Sequence, residues 1–356
     1  MMAGVLGMRG SERRSWEIAC DESGSEGERL VGGTTDVFAH ASVDIEVEAA
    51  NVCIAELRTR TRSPATEYKA SVVLREQNRA ALIWLLGPSG PVLGGAHVHL
   101  TEKSYLLASS LVAFLANADP TQTHDGNDRA REPQLCSAAA LHREAVRATD
   151  EEAPMRLFAS FNDLMRAKES AEVVGLAETL FELGDRLLTT QTNGFAVDLA
   201  RFWPASVDRR RLVRRVLDPS RMSPRLDPLV AAVVAAAEHW AAAGRDFSFV
   251  HDQHYLLTPG LIAYLEGLIR ARTASARTHD DAGRYTGMRL VDSQHDPRVQ
   301  IADLVAGSAR RIASDALHGV VDDELVALLR PYVDRHSWWG DAGTASLLGI
   351  ASADGR

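Results

Sequence analysis

The 356 residues carry 39 Lys and Arg against 48 Asp and Glu, a net charge of −9, and 46% of them are hydrophobic. That is enough apolar chain to bury the core of one large domain or two modest ones, and the acidic balance excludes a protein that coats nucleic acid through charge alone. It leaves room for a nuclease, because a site built of carboxylates adds negative charge that bound metal neutralises. The most apolar stretch, 226–243, is interrupted by Asp227, Pro228, Glu238 and His239 and falls short of a bilayer span, so no membrane partner is expected. Residues 1–14 lack a charged-then-apolar signal pattern, and Cys20, Cys53 and Cys136 are odd in number and widely spaced; the expectation is a reducing cytoplasm.

In chain order, Trp16 to Cys20 reads as a short strand ending in the turn Asp21-Glu22-Ser23-Gly24, and Val37 to Val43 as a second strand. Asp44 is placed as the N-cap of a helix running to about Arg60, which Ser63-Pro64 stops. A helix over 72–86, a strand over 96–100 and a helix over 104–115 follow. The polar segment 119–133 reads as a linker. Beyond it come helices at 155–166, 171–188 and 229–242 with little strand signal. Strand signal returns at 247–250, followed by a helix over 259–272, a strand over 288–291 and a helix over 299–316. The expected architecture is therefore α/β, a mixed sheet flanked by helices and interrupted by a mainly helical insertion. Its segments are 1–118 as the first half of the core, 119–244 as the insertion, 245–316 as the second half and 317–356 as a C-terminal helix and tail.

Two-metal hydrolysis of a phosphodiester needs hard oxygen ligands from distant segments, gathered around ions about 3.5 to 4 Å apart. Asp21 after the first strand, Asp252 after the strand at 247–250, and Asp303 in the last helix of the core stand where such convergence can occur. Asp303 is a lone acid in the apolar run 300–307, with Gln300 three residues before it on the same helix face. The competing reading pairs Asp303 with Arg310 or Arg311, and Asp-Glu-Ser-Gly taken alone is a plain turn.

Together, Ile18-Ala19-Cys20-Asp21-Glu22-Ser23-Gly24, Glu67-Tyr68-Lys69-Ala70, Val250-His251-Asp252, and Val291-Asp292-Ser293 followed by Gln300-Ile301-Ala302-Asp303-Leu304 resemble the ordered motifs of the domain-of-unknown-function 3800 family. The resemblance covers 15–116 and 245–316. It implies a ribonuclease H-like fold and a metal-dependent nuclease of the kind associated with mobile elements or anti-phage defence. It also implies that Asp21, Glu67, Asp252 and Asp303 bind Mg²⁺ or Mn²⁺, with Lys69 at the scissile phosphate. Glu22 flanks that site, Lys103 matches a lysine common in the family, and Ser293 and Gln300 belong to the last motif.

The remaining motifs carry weaker readings. His97 with His99 and His251 with His254 have zinc-compatible spacing but no cysteine cluster, and read as ordinary polar or core histidines. Gly32-Gly33 and Gly94-Gly95 lack the residues of a phosphate loop. Trp338-Trp339 reads as a docking contact. The arginines at 58, 60 and 62 and the run Arg209, Arg210, Arg211, Arg214 and Arg215 are either solvated helix faces or guides for phosphate. The leading functional expectation is cleavage of DNA or RNA, with the helical insertion choosing the substrate or docking a protein partner. The alternatives are an inactive nucleic-acid- or protein-binding module on the same fold, and an effector held inactive until a partner binds.

Overall fold

The computed structural model describes residues 16–62, 69–116, 128–147, 152–190, 193–218, 226–275 and 283–351. Alternation of small or branched residues with larger ones builds five strands: β1 (Trp16–Ser23), β2 (Val37–Val43), β3 (Ala96–Glu102), β4 (Phe247–Asp252) and β5 (Tyr285–Val291). They form one sheet in the order β3-β2-β1-β4-β5. The pairs β3·β2 and β2·β1 are antiparallel, whereas β1·β4 and β4·β5 are parallel. The expected α/β class and the mixed, helix-flanked sheet are both present.

Register assigns each side chain to a face, because paired residues point the same way. One face carries Ala19, Asp21 and Ser23 of β1 beside Val43, Ala41 and Ala39 of β2, which in turn oppose Ala96, Val98 and Leu100 of β3. These mostly small residues let α12 (Pro297–Leu317) lie close across the sheet, joined by α1 (Val47–Thr61) and α3 (Arg79–Leu86) in one core. The other face carries Ile18, Cys20, Phe38, Phe247 and Phe249, packed under α10 (Pro228–Ala241) and α11 (Pro259–Ser275).

A second body of helices surrounds α4 (Lys103–Leu115), whose residues are buried on nearly every side. It comprises α5 (Asp128–Arg147), α6 (Glu152–Arg166), α7 (Ser170–Thr190), α8 (Gly194–Ala200) and α9 (Ser206–Val216), closed over Phe114, Phe158, Phe161 and Phe195.

The elements and boundaries expected from sequence change in five places, the last of them in the tail. The insertion placed at 119–244 loses α10 to the sheet, because nearly every residue of α10 is apolar and it docks on the phenylalanine-bearing face. Conversely α4, expected with the sheet, supplies the centre of the helical body. The helix expected over 72–86 divides into α2 (Ala70–Val73), a 3-10 turn (Glu76–Asn78) and α3, where the Asn78 side chain donates to the Val72 carbonyl and takes the place of a helical N–H. Asp44, placed as a helix cap, instead accepts a hydrogen bond from Trp16 Nε1 at 2.6 Å, and Glu46 is the N-cap residue of α1.

The tail carries two short helices, α13 (Asp323–Leu329) and α14 (Ala342–Leu348), rather than one. Between them Asp334 and Trp338 donate backbone N–H groups to Val98 and Leu100 of β3, and Glu102 returns one to Trp338. The Trp338-Trp339 segment thus docks onto the chain's own sheet and covers an edge that would otherwise invite a foreign strand. Among the described residues no helix is long and apolar enough to cross a membrane.

Candidate functional site

The carboxyl ends of β1 and β4 lie side by side because the two strands are parallel neighbours. Asp21 and Asp252 sit within the last residues of these strands rather than after them, since β1 runs to Ser23 and β4 to Asp252. Asp21 is 6% exposed and accepts the Glu22 N–H at 2.8 Å. Asp252 accepts the Ser293 N–H at 3.0 Å. The buried Gln300 side chain donates to the Ser293 carbonyl at 2.8 Å, so α12 fixes the turn that holds Asp252. Ser293 and Gln300 therefore act on an acid from behind.

Asp303 stands one turn further along α12, on the Asp21 face of the sheet, and its Oδ2 accepts the Ala70 N–H at 3.1 Å. Its expected structural partners are engaged elsewhere: Arg310 donates to Ser23 Oγ, and Arg311 pairs with Asp315. Lys69, immediately before Ala70, is exposed at the N-terminal end of α2. Glu67 lies outside the described residues.

Burial pushes the Asp21 carboxyl well above the usual range, and the charges of Glu22, Asp303 and Asp252 push it further. Glu22 also rises, first through burial and then through Asp252 and Asp227. Each of these acids is thus held in a field of like charge. Among the described residues no Lys or Arg lies within ion-pair distance of Asp21, Glu22 or Asp252. No three His, Cys, Asp or Glu side chains among the described residues are grouped so as to hold a metal ion.

Glu22 points to the opposite face from Asp21, as neighbours on a strand must. There it meets His251 Nε2 at 3.9 Å and His254 Nε2 at 3.7 Å. His254 also lies 3.1 Å from Ser25 Oγ. His40, fully buried and in register with Glu22, lies 5.4 Å from His251 between ring centroids. Burial keeps both imidazoles neutral, drawing His251 down to about 4 and His40 well below its usual value. Asp227 caps α10 on this side, its side chain accepting the Leu229 N–H, and burial pushes it up to about 6.

Lys103 lies apart from the acids. It is 1% exposed, with Nζ 2.6 Å from both Glu26 Oε2 and Thr35 Oγ1, and so ties down the loop between β1 and β2. His97 and His99 converge on Asp334 of the tail at 3.7 and 2.9 Å. Asp227, His40 and Arg310 stand at or beside the site without having been singled out for it. The only sequence signal for Asp227 was its place before Pro228 at a helix start, and for His40 its place inside a strand. Comparison of the chain with family models, with curated proteins and with solved structures gave no match.

Proposed function

We propose that this chain is a divalent-metal-dependent nuclease on a ribonuclease H-like sheet. The strand order β3-β2-β1-β4-β5, antiparallel on one side of β1 and parallel on the other, is the arrangement expected of that fold. The observation that carries the reading is the placement of Asp21 and Asp252 at adjacent parallel strand ends and of Asp303 on the helix across the Asp21 face, with the charges of Asp252 and Asp303 raising Asp21. Buried like charges are costly unless something positive joins them. A donor set of hard carboxylate oxygens with no nitrogen or sulfur suits Mg²⁺ or Mn²⁺.

Asp21, Asp252 and Asp303 would hold the metal, with Glu67 as the fourth acid that the family resemblance supplies. When bound, the metal lowers the pKa of a water and neutralises charge on the leaving oxygen. The chain's own part is positioning. Ser293 and Gln300 fix Asp252, the Ala70 N–H fixes one oxygen of Asp303, and the neighbouring N–H of Glu22 fixes one oxygen of Asp21. Lys69, beside Ala70, would meet the phosphate as a compact charge.

Labelled single- and double-stranded DNA and RNA incubated with Mn²⁺, Mg²⁺ or chelator test the reading. Cleavage that requires metal and disappears in Asp21→Asn and Asp303→Asn supports it. Full activity in either variant, or cleavage indifferent to chelator, overturns it.

A further inference from the structure

Asp303, Gly307 and Arg310 fall four and then three residues apart and so share one face of α12. A Cβ at Gly307 would stand 2.3 Å from the Ala70 Cβ, so the glycine lets α12 press against α2, with Ser23 Oγ of β1 in ordinary contact at 3.8 Å. One turn on, Arg310 Nε donates to Ser23 Oγ at 3.0 Å. Ser23 lies on the Asp21 face two residues further along β1, about 7 Å away along the strand. Most nearby cations are neutralised: Lys103 by Glu26, Arg311 by Asp315, and Arg298 by Asp296 and Glu17. The half-buried Arg310 is instead steadied by a hydroxyl, and among the described residues no carboxylate pairs with it. A planar cation anchored through Nε, whose outer N–H groups have no hydrogen bond to the described residues, is suited to a phosphate.

Across the same turn stands Tyr255, three residues after Asp252 and 69% exposed. Its ring lies 4.7 Å from that of His254. Its hydroxyl reaches Gly27, where a Cβ would stand only 2.4 Å from the Tyr255 oxygen. A lone exposed tyrosine signifies little on a protein surface. This one is steadied by His254 and Gly27 and lies near Glu22 and Asp227 on the α10 side of the sheet's carboxyl end, while Arg310 lies on the α12 side.

We infer that the ligand crossing this edge is a single-stranded nucleic acid, with Arg310 on a backbone phosphate beside the acids and Tyr255 stacked on a base. The inference rests on the nuclease reading and adds the form of the substrate. In a duplex the base faces are covered by their stacked neighbours; only an unpaired base offers one to a tyrosine.

Fluorescence anisotropy of the full chain in chelator, where no turnover occurs, tests this with labelled oligonucleotides of about ten nucleotides, a length within reach of a single binding groove. Single strands are expected to bind at least tenfold more tightly than duplex of the same length. Tyr255→Ala should weaken single-strand binding about tenfold with an unchanged salt slope, and Tyr255→Trp should restore it, as stacking is sequence-tolerant and needs only a ring. Arg310→Gln should weaken binding and reduce the salt slope by about one, with Arg310→Lys in between. A 2-aminopurine base in the strand should be quenched by the parent and not by Tyr255→Ala. Tight binding that prefers duplex, or that neither Tyr255→Ala nor Arg310→Gln alters in proteins melting like the parent, overturns the single-strand inference and leaves the nuclease reading standing. If no oligonucleotide binds and metal-dependent cleavage is also absent, the nuclease reading falls, and the inference with it.

Discussion

Glu102 at the end of β3 and Asp334 beside that strand, and Asp21 and Glu22 at the centre of the sheet, are all largely withdrawn from water, yet their carboxyls move in opposite directions. Burial raises all four. At Glu102 this is outweighed by His142, whose Nε2 lies 2.8 Å from Oε1, and by the N–H groups of Gly340 and Asp341, which donate to Oε2. At Asp334 it is outweighed by His97 and His99. At Asp21 and Glu22 the neighbours are other acids, and the carboxyls stay high. Burial alone therefore does not separate an acid paired with donors and histidines from one set among other acids; the company it keeps does.

The largest effect should come from removing an acid of the first kind. Glu102→Ala strips the partner from His142 and from two tail N–H groups, and should cost about 3 to 5 kcal/mol in urea unfolding. Asp21→Asn, in chelator, should melt no lower than the parent, because it relieves repulsion. Equal losses in the two variants would erase the distinction drawn between them.

Next in size is the response to metal. Mn²⁺ at a hundred times its dissociation constant should stabilise the parent by about 2.7 kcal/mol, and Asp21→Asn and Asp303→Asn clearly less. A parent that ignores millimolar Mn²⁺ and Mg²⁺ in thermal melts would leave the central acids without a counter-charge and break the comparison.

A third test uses pH at the loop after β1. Burial raises Glu26, but hydrogen bonds from Lys103 and Thr34 bring it down to about 2. A carboxyl depressed in the folded state contributes stability above its unfolded value, near 4.5, and that stability is lost as pH falls toward 2. Glu26→Gln should lose roughly 1.5 to 3 kcal/mol at pH 6, the range for hydrogen bonds to charged groups, and its stability should fall less steeply than the parent's between pH 4.5 and 2. Urea titrations at each pH read this out; parallel curves would show that Lys103 does not depend on Glu26.

The smallest effects on stability are expected in α9. Arg209 pairs with Asp185 and its guanidinium lies over the Phe181 and Trp203 rings, so it belongs to the packing of the helical body. Arg210, Arg211 and Arg214 are exposed. Changing these three to Glu should shift unfolding by no more than about 0.5 kcal/mol each. If the helical body guides nucleic acid, the same change should flatten the salt dependence of binding seen by anisotropy.

The strands were legible because short apolar runs ended at clear turn residues, and Val37–Val43 matches its expected span residue for residue. The acids of the motifs were legible as positions: Asp21 and Asp252 stand at adjacent strand ends and Asp303 on the helix across the Asp21 face, while Glu67 lies outside the described residues. What sequence could not show was company. Lys103 carries the same letter whether it faces phosphate or, as here, Glu26; Asp44 looks like a cap and instead receives an indole N–H. The change of layer for α10 was hidden because a wholly apolar helix fits the centre of a helical body or the face of a sheet equally well, and only the partner surface decides. Asp21 and Glu22 sit next to each other in the chain, yet the pleat sends them to opposite layers.

That β1 lies between β2 and β4 has a consequence for how the chain is made. Trp16 of β1 pairs with Phe247 of β4, so the centre of the sheet joins segments separated by the whole helical body. During synthesis the antiparallel β1, β2 and β3 can form early, since they lie close in sequence. Until residues beyond 247 leave the ribosome, β1 remains an open edge whose unpaired backbone groups can template a neighbouring nascent chain. The helical body emerges in that interval and can fold around its own phenylalanines. Asp21 is joined by Asp252 and Asp303 only after that wait is over, so the site proposed for cleavage would stay incomplete until nearly all of the chain has been translated.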